Sequence, residues 1–220
     1  MSEKILHLHR PLRGNEALPA ALTAGERSAM INAAAIQVEE LFHVLRVDYR
    51  NDHNTRDTPR RVAKMFVEEM LAGRFSPAPR ITTFDNAEGF EGMIVTGPIE
   101  VRSTCAHHLM PIIGEVHIGI LPSATGRIVG LSKYDRIVDH FSRRLQIQEE
   151  LTQQIGLHLF KLTEPKGIAV RISATHMCKT HRGVQAPHES KMVTFTYLGD
   201  FSGDPTLRQE FSRECTPAAR

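Results

Sequence analysis

Apolar residues recur at three- and four-residue steps from Met30 to Leu45, through Ile31, Ala34, Ala35, Val38, Leu41 and Phe42. That spacing predicts an amphipathic helix beginning near Ala24. A second helical stretch follows in DTPRRVAKMFVEEMLAG, with Thr58 as N-cap, Pro59 at the first helical position, Gly73 as the stop, and Val62, Met65, Phe66 and Met70 as the apolar face. Pro77 and Pro79 then break the chain, and the period of the pattern changes. GMIVTGPIEVRSTC is rich in branched residues, and in GEVHIGILP the residues Val116, Ile118 and Ile120 alternate with His117, Gly119 and Leu121. Both read as strands of an antiparallel pair, with CAHH in or near their connection.

Helical spacing returns in LSKYDRIVDHFSRRLQIQEELTQQIGLHLFKL, first as Ile137, Val138 and Phe141, then as Leu151, Ile155 and Leu159. A break between Ser142 and Leu145 predicts two helices, and Ser132 with Asp135 three residues on has the form of a capping box. GIAVRISATHMCKTH and KMVTFTYLG read as a last strand pair, separated by the turn-rich RGVQAPHES. The order is therefore helices, a strand pair, helices, a strand pair, an α+β arrangement without internal repeats. Residues 1–23, with two prolines and scattered charge, read as a flexible N-terminal arm. Residues 24–75 form the helical region, 76–211 the main domain and 212–220 a polar C-terminal tail.

Composition narrows the classes. At 220 residues, with 41% hydrophobic and 24% charged, the chain buries a real core, which excludes disorder throughout. A net charge of +2, from 27 Lys and Arg against 25 Asp and Glu, excludes a surface that tracks nucleic acid as a whole. Any bound anion must meet a local basic cluster. The first residues carry no apolar run followed by a small-residue cleavage site, no stretch has the length of a membrane helix, and the three cysteines are too few and too odd for a disulfide framework. These features predict a soluble cytoplasmic protein in a reducing compartment.

TCAHHLMP places Cys105, His107 and His108 within four residues, and a second segment joins His176 to Cys178. Ile168, Val170, Ile172 and Ala174 share one strand face, and the same parity continues into His176 and Cys178. Taken singly, a histidine there reads as a satisfied core residue and a cysteine as a small buried apolar one. Two Cys/His segments in one chain point instead to Zn²⁺, which prefers thiolate and imidazole. Paired CxxC motifs, the usual mark of a structural site, are absent. Two cysteines and one histidine leave a fourth position for water, the count of a catalytic metal. Spacing does not choose between His107 and His108: neighbours on a strand face opposite ways, while the i, i+3 pair Cys105 and His108 suits a tight turn. Cys215, in SRECTPAAR, reads as an incidental free thiol.

STCAHHLMPIIGEVHIGILP, GLSKYDRIVDHFSRRLQIQEELTQQI and ATHMCKTHRGVQ resemble the signature blocks of the GTP cyclohydrolase I family, and the earlier TPRRVAKMF resembles its N-terminal helix, over roughly residues 24–211. The resemblance implies a T-fold catalytic domain and a homo-oligomer, a decamer of two pentameric rings, with active sites between subunits. It implies a zinc-dependent reaction of GTP and water to 7,8-dihydroneopterin triphosphate and formate, with water activated at the metal attacking C8 of guanine. Carried over by motif, Cys105, His108 and Cys178 are the zinc ligands, and His107 and His176 the acid and base. Gln148 and Glu149 are the guanine-binding pair, while Ser132, Lys133, Arg136, Arg182, Arg61 and Lys64 receive the triphosphate. No nucleic acid or membrane is implied as partner. The sequence departs from the family pattern at Ala106, where the family usually has an acidic residue, and in the polar KTH run after Cys178. Two other classes stay open: a diverged T-fold paralogue acting on or binding another purine or pterin, and a non-catalytic zinc protein with four protein ligands.

Overall fold

A computed structural model describes residues 12–215, and the chain divides into two compact units, Met1–Ala78 and Pro79–Arg220. In the first, helix α1 (Ala24–Val44) opens on a full capping box: Glu26 N donates to Thr23 Oγ1 at 3.2 Å, and Thr23 N donates to the Glu26 carboxylate at 2.8 Å. Ile31 and Ala35, in the first half of the predicted stripe, are buried, whereas Leu41 and Leu45 at its far end are exposed.

Helix α2 (Thr58–Lys64) starts one residue earlier than the sequence suggests, flanked by Asp57 and without a side-chain cap. It does not stop at Gly73. The chain widens into a π-helical segment, Met65–Met70, and continues as the short α3 (Ala72–Phe75). The buried positions are Ala63, before this segment, and Val67 within it, in place of the expected Met65 and Met70. Residues 12–23 of the predicted arm are tied to this unit. Leu18 N donates to Arg74 O at 2.9 Å, Leu22 N to Phe75 O at 3.1 Å, and the Arg74 guanidinium reaches the carbonyls of Arg13, Gly14 and Glu16. Residues 1–11 of the arm and 216–220 of the tail lie outside the described residues.

The second unit is built on a five-stranded sheet. Its strands are β2 (Ile94–Cys105), β3 (Pro111–Leu121), β5 (Leu145–Gln146), β6 (Gly167–His176) and β7 (Lys191–Gly199), in the order β5-β2-β3-β6-β7. A separate two-stranded ribbon pairs β1 (Thr83–Asp85) with β4 (Arg127–Val129). The predicted strand pair is present as β2 and β3, antiparallel, with CAHH in the turn between them. β5 occupies the predicted break between helices α4 (Ser132–Ser142) and α5 (Gln148–Thr163), pairing parallel to the end of β2.

One face of the sheet carries the main core: Val116, Ile118, Ile168, Val170 and Ile172 meet Ile137, Val138, Leu151, Ile155 and Leu159, all fully enclosed. The alternation in β3 is real, yet its second face is covered too. There Leu121 and Ala169 pack with Phe201 of α7 (Asp200–Gly203) and Phe211 of α8 (Pro205–Glu214). Cys215 joins this cluster at 2% exposure, so the start of the supposed polar tail is packed.

Two local expectations change. Ser132 caps nothing, because the chain already turns at Leu131 (φ −46°, ψ −52°) and Lys133 N bonds Gly130 O at 2.8 Å. The strand parity ends at His176, and Cys178 comes next on the short helical turn α6 (Met177–Thr180).

Candidate metal centre

Three strand ends converge at one end of the sheet. Cys105 is the last residue of β2 and the register partner of Gln146 on β5, while Ile112 at the start of β3 pairs with His176 at the end of β6. The turn between β2 and β3 is closed by Cys105 N to Met110 O at 2.8 Å and Leu109 N to Cys105 O at 2.9 Å, with Leu109 at a positive φ of 55°. Cys178, two residues past the end of β6 in the first turn of α6, returns to the same point. The potential ligand atoms of Cys105, His176 and Cys178 all lie within 4.8 Å of one another. Two sulfurs and one imidazole nitrogen at that separation are a donor set that can close on a single ion, and their softness suits zinc.

His107 and His108 occupy the exposed turn, their rings edge to face at 6.4 Å. His107 Nδ1 is 3.9 Å from Cys105 Sγ, and neither histidine belongs to the three-residue group.

The charges around the group act in opposed directions. Burial pushes the His176 imidazole below its ordinary range, the Glu149 carboxylate pulls it back up, and Lys179 adds to the fall. Burial also pushes the Cys178 thiol up, reinforced by its contact with Cys105 and opposed by the Arg182 guanidinium. Both Glu149 and Arg182 are exposed.

The residue matches are as specific as the geometry. The GTP cyclohydrolase I family profile matches residues 34–216.

The chain belongs to the GTP cyclohydrolase I family.

A relative named GTP cyclohydrolase 1 from Shewanella denitrificans is 40% identical over 198 residues, covering 90% of this chain and 88% of its own. One of the same name from Flavobacterium johnsoniae is 43% identical over 176 residues, covering 79% of this chain and 76% of its own. A solved structure, the archaeosine synthase QueF-Like in its apo form, aligns over 56% of this chain and 96% of its own at 14% identity, with a TM-score of 0.38.

Within this GTP cyclohydrolase I chain, Lys133 and Arg136 lie in the first turns of α4, Lys133 half-buried and Arg136 exposed beside the exposed Ser132. Arg61 and Lys64 lie in the first unit, where each makes an ion pair along its own helix, with Asp57 at 3.5 Å and Glu68 at 3.7 Å. Gln148 and Glu149 are the first two residues of α5, and they part company. Glu149 faces solvent; Gln148 has no exposed surface at all.

Gln148 Oε1 lies 2.8 Å from His176 Nε2, and the two hydrogens of its Nε2 are shared among Ile172 O, Met192 O and Thr194 Oγ1 at 3.1, 3.0 and 3.1 Å. Thr152 Oγ1 closes the network, donating to Gln148 O at 2.6 Å and lying 2.7 Å from Thr194 Oγ1. Sequence reasoning missed Thr152 and Thr194. Only their small polar side chains on otherwise apolar core faces could have signalled them. Among the described residues, no helix is long and apolar enough to cross a membrane.

Proposed function

We propose that this chain is a cytoplasmic, zinc-dependent GTP cyclohydrolase I, converting GTP and water to 7,8-dihydroneopterin triphosphate and formate. The observation that carries the proposal is the convergence of Cys105, His176 and Cys178 within 4.8 Å at the end of the sheet, in a chain that matches the family over most of its length. Cys105, Cys178 and, by the family pattern, His108 would hold the ion, which supplies a Lewis acid and brings the pKa of a water toward about 7. His176 faces the same point from β6 and moves a proton at the purine ring, with His107 as the second proton carrier. A second reading has His176 as the third ligand, favoured by its place in the three-residue group.

Glu149, exposed yet close enough to influence His176, accepts from the ring N–H and amine of guanine. Arg182, Lys133, Arg136 and Ser132 take the phosphates, helped by the first turn of α4. Arg61 and Lys64 reach the site of a neighbouring copy in a ring-shaped homo-oligomer, two pentamers forming a decamer. Such closure would cover β7, the long edge strand of the sheet.

The test is to incubate the zinc-loaded protein with GTP and follow formate together with the fluorescence of the oxidised pterin. Both signals are expected. Formate alone indicates an enzyme that stalls after ring opening, and neither signal overturns the proposal.

A further inference from the structure

Gln148 is enclosed, and the direction of every bond it makes can be worked out. Two of the three groups facing its Nε2, the backbone carbonyls of Ile172 and Met192, can only accept. The amide nitrogen must therefore point at them, and a flipped amide would set oxygen against two oxygens in a buried site. Its oxygen is thereby committed to the other side, where it meets His176 Nε2 at 2.8 Å. A carbonyl oxygen only accepts, so the ring nitrogen must carry the proton.

The threonines hold the same order. Thr152 Oγ1 spends its hydrogen on Gln148 O, so the hydroxyl of Thr194 donates to Thr152, and its oxygen faces the Gln148 amide as an acceptor that shares the two amide hydrogens with the Ile172 and Met192 carbonyls. Each hydrogen bond in the ring has one permitted direction.

We infer that Gln148 is a positioning residue that fixes His176 as its Nε2–H tautomer and leaves the Nδ1 lone pair as the working nitrogen toward the cysteines. This departs from the purine-binding role that the family pattern suggests for Gln148, and it deepens the proposed function without depending on which role His176 takes. As a base, His176 works through Nδ1. As a ligand, it binds through Nδ1. In both cases the other ring nitrogen is held by an oriented acceptor, which sets ring angle and tautomer together. Glu149, the next residue, is then the one that meets the purine.

The deciding measurement is neutron diffraction from crystals of the wild-type protein exchanged into D₂O. Deuterium is expected on His176 Nε2, directed at Gln148 Oε1, with the Gln148 amide deuteriums directed at Ile172 O and Met192 O; a bare Nε2 overturns the inference.

Kinetics supply an independent arm. Gln148→Leu is expected to lower kcat about 100-fold, within the usual span for a proton-transfer group, while the KM for GTP holds; zinc content holds where His176 is the proton carrier and falls where it is the ligand. Gln148→Glu, which as the neutral acid offers one acceptor and one donor in the same shape, should recover most of that loss. A raised KM with unchanged kcat in Gln148→Leu would return the residue to purine binding. Should the wild-type protein fail to turn GTP over, the proposed function falls, and the deuterium positions still decide the tautomer.

Discussion

Ile112 on β3 is the register partner of His176 on β6, and this single pairing brings the two Cys/His segments of the chain together. β3 begins just after the CAHH turn, so whatever pairs with its first residues must lie beside Cys105. A strand slipped by one residue would send His176 to the opposite face of the sheet and disperse the group.

Replacing Cys178 or Cys105 with Ser is expected to remove zinc and activity together, because a hydroxyl is a far poorer ligand than a thiolate. Metal content by elemental analysis checks this; full zinc in Cys178→Ser would show that Cys178 is not a ligand and that the assignment is wrong. The same measurement on His108→Ala and His176→Ala identifies the third ligand. The proposal expects zinc to be lost in the first and kept in the second, with turnover abolished in both.

Glu149→Ala removes a charged acceptor from an exposed position beside His176. Hydrogen bonds to charged groups contribute about 1.5–3 kcal/mol, so the KM for GTP should rise roughly 10- to 100-fold. An unchanged apparent affinity sinks the guanine-reading role.

Ile155 on α5 is fully enclosed between the helices and the sheet. Its replacement by Ala is expected to cost about 2–5 kcal/mol through lost burial and the cavity left behind. Denaturant unfolding at constant m-value measures it, and a loss well under 1 kcal/mol would mean the core can collapse around the gap.

His140 on α4 accepts a hydrogen bond from Arg144 Nη2 at 2.7 Å and is pushed down to about 4, by burial first, then by Arg144 and His158, with Asp139 opposing. Between that value and about 6.5 the unfolded chain binds the proton and the folded one does not. Stability from this group is therefore complete above about pH 6.5 and is lost as pH falls toward 4. Chemical denaturation across that window should show it, and His140→Gln, which can still accept from Arg144, should flatten the slope. An identical slope in the variant would remove His140 as the cause.

Burial holds the Cys215 thiol up to about 11. Iodoacetamide near neutral pH should leave it unlabelled in the folded protein and label it once the chain is denatured, since the thiolate is the reactive form. Rapid labelling of the native state would show that α8 opens readily.

Much of this protein could be read from its residues. Period alone located α1, the strand pair β2 and β3, the two helices α4 and α5, and the last strands, because each element buries one face and so must repeat apolar residues at its own geometry. The two Cys/His segments pointed to one shared site, and Cys105, His176 and Cys178 from them do meet within 4.8 Å. Other features depended on contacts that no local window contains. The chain buries Ala63 of α2 and Val67 of the following π-helical segment instead of the apolar face that the period predicted, and the covered second face of the sheet drew Cys215 into a core. Gln148 and Glu149 are adjacent and chemically alike, and nothing in their sequence separates them. Only the sheet, by setting Ile172, Met192, Thr194 and His176 around one of them, enclosed Gln148 and left Glu149 to the solvent. Burial and hydrogen-bond direction belong to the assembled surroundings of a side chain, whereas period and composition belong to the chain itself.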